Sequence, residues 1–105
     1  MSKLVLKLNA FGGPTGRRLP KDAYDVLLAV TGFVDGPAAA VAAFQAEAKA
    51  ANTGFDFAVK SLQNDFTDPG QDGPTRAAEF HPGNAGNRDR VREDLATVGR
   101  MLLGI

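Results

Sequence analysis

Lys3-Leu4-Val5-Leu6-Lys7-Leu8 is the stretch on which the fold reading turns. Leu4, Leu6 and Leu8 alternate with Lys3, Val5 and Lys7, the period of a half-buried β-strand. Lysines on its outer face suit an edge strand guarded against stray pairing. Such a strand needs a partner, because buried backbone N–H and C=O groups are costly when unpaired. Phe55-Asp56-Phe57-Ala58-Val59-Lys60-Ser61 offers one, with Phe55, Phe57 and Val59 inward. The same segment fits a helix with Phe55, Ala58, Val59, Leu62 and Phe66 on one face. The first strand's need for a partner decides for strand.

Helical signals lie between and after these segments. Pro20 suits a first helical turn, and Ala23, Val26, Leu27 and Val30 follow the i, i+3, i+4, i+7 spacing up to Gly32. A strand through Val26-Leu27-Leu28-Ala29-Val30-Thr31 is the rival, and the brackets Pro20 and Gly32 decide for the helix. An alanine-rich run begins at Pro37, with Asp35 or Gly36 to cap it and Asn52 or Gly54 to stop it. Only Val41 and Phe44 are large and apolar there, so the run reads as a smooth central post packed closely on two sides. Asn87 can cap a last helix, with Val91, Leu95, Val98 and Leu102 as its stripe and Arg90 to Asp94 as an i, i+4 ion pair. The expected architecture is one α+β domain over 1–105. A sheet of 3–8 with 55–61 packs against helices near 20–31, 37–51 and 88–103. The alternative is mainly α with one N-terminal strand.

The formal charge is zero, yet residues 1–21 carry five basic side chains and no acid, while 22–87 hold nine acids against three bases. The two regions can pair within one fold or between copies. With no cysteine, the chain has neither disulfides nor thiolate metal sites. No apolar run approaches the ~20 residues of a membrane span. Met1-Ser2-Lys3-Leu4-Val5 lacks the features of a signal peptide. A cytoplasmic or virion-associated location without membrane partners is therefore expected.

Three stretches carry candidate chemistry. Gly12-Gly13-Pro14-Thr15-Gly16-Arg17-Arg18 combines glycine-rich backbone with two guanidinium groups. Gly13, Gly16, Arg17 and Arg18 are the candidate contacts for a phosphate or nucleic-acid backbone. The spacing is that of neither a P-loop nor a dinucleotide fingerprint, and a plain turn with solvated arginines explains it as well. Residues 63–87 are the least regular stretch, with one short helix expected at Pro74–Phe80. There Asp68, Asp72 and Glu79 fall at positions one, five and twelve of a calcium-loop pattern, with Gly70 where an oxygen ligand belongs. Turn and cap chemistry covers the same residues. The third stretch is the apolar tail, in which Met101, Leu102, Leu103 and Ile105 form a candidate partner interface. His81 stands alone, without the further His or Cys of a common zinc site. No cofactor motif is present, and none of these stretches points to catalysis.

Gly32-Phe33-Val34-Asp35-Gly36-Pro37 through Phe44-Gln45 resembles the core motif of small helical peptidoglycan-binding domains. Val59-Lys60-Ser61-Leu62-Gln63 and Asp72-Gly73-Pro74-Thr75-Arg76-Ala77-Ala78-Glu79-Phe80 echo the same pattern. The glycine that normally follows the Asp-Gly pair two residues on is missing in both places, and no binding residue carries over. The resemblance implies a helical, glycan-recognising module. The residues themselves favour a non-catalytic assembly or interaction protein, of the kind of a virion accessory subunit or a small partner-binding inhibitor, with a protein partner or self-assembly. Recognition of cell-wall glycan, or of nucleic acid through residues 12–18, is the alternative.

Overall fold

The deciding stretch is a helix. α1 occupies Lys3–Gly12 and buries Leu4, Val5, Leu8 and Phe11, the i, i+1, i+4, i+7 pattern of one helical face. Leu6, which alternation turns inward, is 56% exposed. Over six residues the two periods look alike. Phe11, beyond that window, completes the helical stripe. Five further helices follow among the described residues: α2 Pro20–Thr31, α3 Pro37–Ala46, α4 Thr53–Asp65, α5 Asp72–Phe80 and α6 Ala85–Leu103. A 3-10 turn over Glu47–Ala50 extends α3. The computed structural model describes residues 3–50, 53–81, 83 and 85–105, and no strand occurs among them. The expected α+β fold, with its sheet of 3–8 and 55–61, is therefore corrected to a small all-helical domain. The N-terminal strand of the alternative falls with it.

The second expected strand fails as a consequence of the first. α4 buries Phe55, Ala58, Ser61, Leu62 and Asp65, which is the helical face the sequence offered. Only the needs of a strand that does not exist argued against it.

α2 packs on α1 and α5, α1 on α4, and α5 on α6. Phe66 is the hub of this core. Its ring meets Phe11 edge-on at 5.3 Å between centroids. Two glycines admit it. A Cβ at Gly99 would overlap the Phe66 carbonyl oxygen, and one at Gly73 would stand 2.5 Å from Phe66 Cε1. Beside this contact Arg100 Nη1 donates to the Thr67 carbonyl at 2.8 Å. α6 is thus fixed against the turn between α4 and α5 through two successive residues.

α3 is not the central post. It buries only Ala40 and Phe44, Phe44 stacking obliquely on Phe55 at 5.0 Å. Ala38, Ala42, Ala43 and Ala46 are exposed. Alanine brings little apolar area to bury, so this helix lies on the surface with one face down. Asn52, the expected stop, is outside the described residues, as are Ala51, Pro82 and Asn84. α6 begins at Ala85, which places Asn87 inside the helix rather than at its cap. Among the described residues Arg92 pairs with Asp89 on that helix, and the expected Arg90–Asp94 pair does not form.

Candidate binding groove

Two basic residues of the N-terminal segment, Lys7 and Arg18, turn onto acids of the middle, while Lys3, Arg17 and Lys21 stay exposed. Lys7 Nζ donates to Asp25 at 2.8 Å and has Asp22 at 4.0 Å, tying α1 to α2. The hydrogen bond to Asp25 raises the Lys7 pKa against the opposing effect of burial. Arg18 Nη1 lies 2.9 Å from both Asp65 and Asp72, and Asp72 also accepts from Arg76 Nε at 3.0 Å. The Arg18 guanidinium stands over the Phe11 ring at 5.5 Å. Its pKa is raised chiefly by the hydrogen bond to Asp65. Burial on its own would raise the Asp72 carboxyl, but hydrogen bonds from Arg76 and Arg18 outweigh it and the pKa is lowered. Arg18 holds a positive φ of 54°, a conformation that costs a non-glycine residue about 1–2 kcal/mol.

The glycine loop is built as the end of α1. Gly13 N–H donates to Asn9, Gly16 to Gly13, Arg17 to Ala10 and Arg18 to Phe11. The backbone donors that an anion would use are thereby engaged within the loop, and the Arg18 head is engaged with two carboxylates. Arg17 is the exposed cation of this loop. The acidic residues of the calcium-loop pattern are not brought together as ligands. Asp72 sits between two arginines, Asp68 Oδ1 accepts from Gly70 N–H at 2.9 Å, and Glu79 is exposed. No group of three or more His, Cys, Asp or Glu able to hold a metal ion occurs among the described residues. In the apolar tail, Leu102 is in the core and Leu103 packs against it. Met101 and Ile105 are exposed, Ile105 at 78%. No helix among the described residues is long and apolar enough to cross a membrane.

A mainly apolar concavity lies elsewhere. An open groove of about 460 Å³ runs between the start of α1, the end of α2, the 32–36 connection and α3. Leu4, Ala29, Ala40 and Phe44 form its floor, and Leu28, Phe33 and Val34 its apolar rim. Leu28 is 48% exposed and Val34 97%. Lys3 and Asp35 are the charged residues lining it. Gly36, at φ +94°, turns the connection into α3, a conformation that glycine adopts without strain. The Gly36 N–H donates to the Phe33 carbonyl at 2.9 Å, a tight turn that leaves Val34 at its tip.

Leu28 also borders a second groove, of about 410 Å³, between α2 and α6. Tyr24, His81, Arg90 and Asp94 line this one. The Tyr24 ring lies 5.7 Å from that of His81, and His81 Nδ1 accepts from Gly83 N–H at 3.0 Å. One apolar side chain thus forms the ridge between a mainly apolar groove and a polar one.

The sequence reading missed the groove, taking Phe33 and Val34 only as part of a motif. The signal was present. Two large apolar residues stand between Gly32 and Gly36, in a connection where polar residues are the rule. The segment that resembles the peptidoglycan-binding motif forms this connection and α3, and its second echo forms α5. Comparisons with known protein families, with curated proteins and with solved structures give no match for this chain.

Proposed function

We propose that this chain is a non-catalytic protein-interaction domain and that the groove bounded by α1, α2 and α3 receives an apolar protein segment. The observation that carries the reading is the rim formed by Leu28, Phe33 and Val34, which are held in water beside an apolar floor. An exposed side chain in isolation is ordinary, whereas adjacent apolar residues around a concavity characterise contact surfaces. The tight turn ending at Gly36 keeps the rim in place, so little ordering would oppose docking. Within the chain, charged residues knit helices together at Arg18 and Lys7, and the apolar groove is left for contact.

Site-specific photo-crosslinking in the native cells tests this reading. A photoreactive phenylalanine analogue replaces Phe33 in one variant and Lys60, exposed on α4, in another. Discrete protein adducts from position 33, lost when Leu28→Glu is added and the helical circular dichroism is unchanged, are the expected outcome. Equal labelling from both positions, or none from position 33, would count against the groove.

A further inference from the structure

We infer that the protein segment received by the groove is the 33–35 tip of a second copy of this chain, in a two-fold symmetric pair. The inference rests on the reading of the groove as a protein-docking surface. Its first support is shape. The groove and the most exposed apolar side chain in its lining, Val34 at 97%, belong to the same patch, so the patch carries both a projection and a recess. A two-fold axis beside the 32–36 connection sets each copy's Val34 and Phe33 over the other's Leu4, Ala29 and Phe44. A surface is self-complementary in this sense when residue i meets j and j meets i.

Charge is the second support. Lys3 and Asp35 line the groove, and neither has an ion-pair or hydrogen-bond partner among the described residues. Of the other cations in residues 1–21, Lys7, Arg18 and Lys21 are paired with aspartates inside the chain, and exposed Arg17 is not among the residues lining the groove. One spare cation and one spare anion in a single patch are what a two-fold contact uses. Lys3 of each copy faces Asp35 of the other, giving two equivalent pairs. A partner of single-sign charge would leave one of the two facing its own kind. The zero net charge of the chain adds no repulsion between copies.

Sedimentation velocity and light scattering on the purified chain, over a wide concentration range, test the inference. A reversible monomer–dimer equilibrium is expected, with Val34→Glu raising the dissociation constant tenfold or more. Lys3→Glu and Asp35→Lys should each weaken the pair several-fold, because both contacts become like-charged. Mixing the two variants should restore association as a heterodimer. The acid introduced at position 3 of one chain then meets the base introduced at position 35 of the other, and the unaltered Asp35 meets the unaltered Lys3. Restoration on mixing also shows that both variants are folded. A chain that stays monomeric throughout would overturn the inference, and so would a dimer indifferent to Val34→Glu and to both charge reversals. The two readings fail separately. Monomers whose position 33 still captures a different protein in cells leave the docking groove standing and remove the second copy. Monomers without any such adduct remove both.

Discussion

At the residue scale, Arg18 does the most joining. Its head group links the end of α4, through Asp65, to the start of α5, through Asp72. Asp65 has a side chain only 10% exposed, and stranding it without a cation is the main cost of removing Arg18. Losing one partner of a fully buried pair costs about 3–5 kcal/mol, and the greater exposure of Arg18 discounts that figure. Arg18→Ala should therefore destabilise the fold by about 2 kcal/mol in urea unfolding, with relief of the positive φ giving back little, because alanine is strained there as well. Asp72 adds a pH dependence. Its folded pKa lies below the usual carboxylate range, so its contribution is complete above about pH 4 and is lost as pH falls through the folded value. Asp72→Asn should flatten the acid limb of a stability-versus-pH curve while leaving its shape near neutrality. The pairing of a basic segment with an acidic one was legible in the sequence. Which residues would meet was not, since Arg18 and Asp72 are brought together only by the packing of α1, α4 and α5.

At the element scale, α1 shows where a short window misleads. Leu4, Leu6 and Leu8 carry an alternation that a strand and a helix can both contain, and a helix adds the requirement that Val5 and Phe11 be apolar too. A pair of substitutions separates the two. Leu6→Lys should change stability by less than about 0.5 kcal/mol, as an exposed helical position. Val5→Lys, which buries a charge in the core, should prevent folding or cost several kcal/mol. A strand would reverse the order, and far-ultraviolet circular dichroism with chemical denaturation reads it directly. α2 occupies the residues its spacing marks, where the brackets Pro20 and Gly32 outweigh the β-branched residues that also allow a strand over 26–31. α4 is legible as a helix on its own residues, and the tertiary reason for making it a strand is empty. α3 looks dominant in the sequence because alanine favours helix so strongly, but propensity says nothing about where a helix sits. Ala43→Leu should leave stability within about 0.5 kcal/mol, since Ala43 is exposed at the groove, and should reduce docking by narrowing the recess.

At the scale of the whole molecule, the packing is uneven. α1, α2, α4, α5 and α6 share the core around Phe66, while α3 rests on it through Ala40 and Phe44. Local opening follows buried contact, so amide exchange should be fastest among the helices in α3 and slowest in α1 and α2. Protection of α3 that rises with protein concentration would link that helix to association, because it forms one wall of the groove. The rim of the groove had a signal in the sequence, at Phe33 and Val34, but its floor did not. Leu4 and Phe44 are distant along the chain, and they line one recess only because α1 and α3 both border the end of α2.

The close approach of Gly99 to the Phe66 carbonyl, with Arg100 bonded to that of Thr67, also bears on time. A helix leaves its last carbonyls without partners. The turn that follows α4 is sealed from a position 33 residues further along. During synthesis from the N-terminal side, α1, α2 and α4 can emerge and begin to collapse while that seam is still open to water. It closes only when residues 99 and 100 have left the ribosome. A glycine and an arginine near the end of α6 therefore act as the latch of the molecule. Gly99→Ala, which sets a methyl group against a backbone oxygen, should show itself as a nascent chain that collapses but stays open to proteolysis beside Phe66.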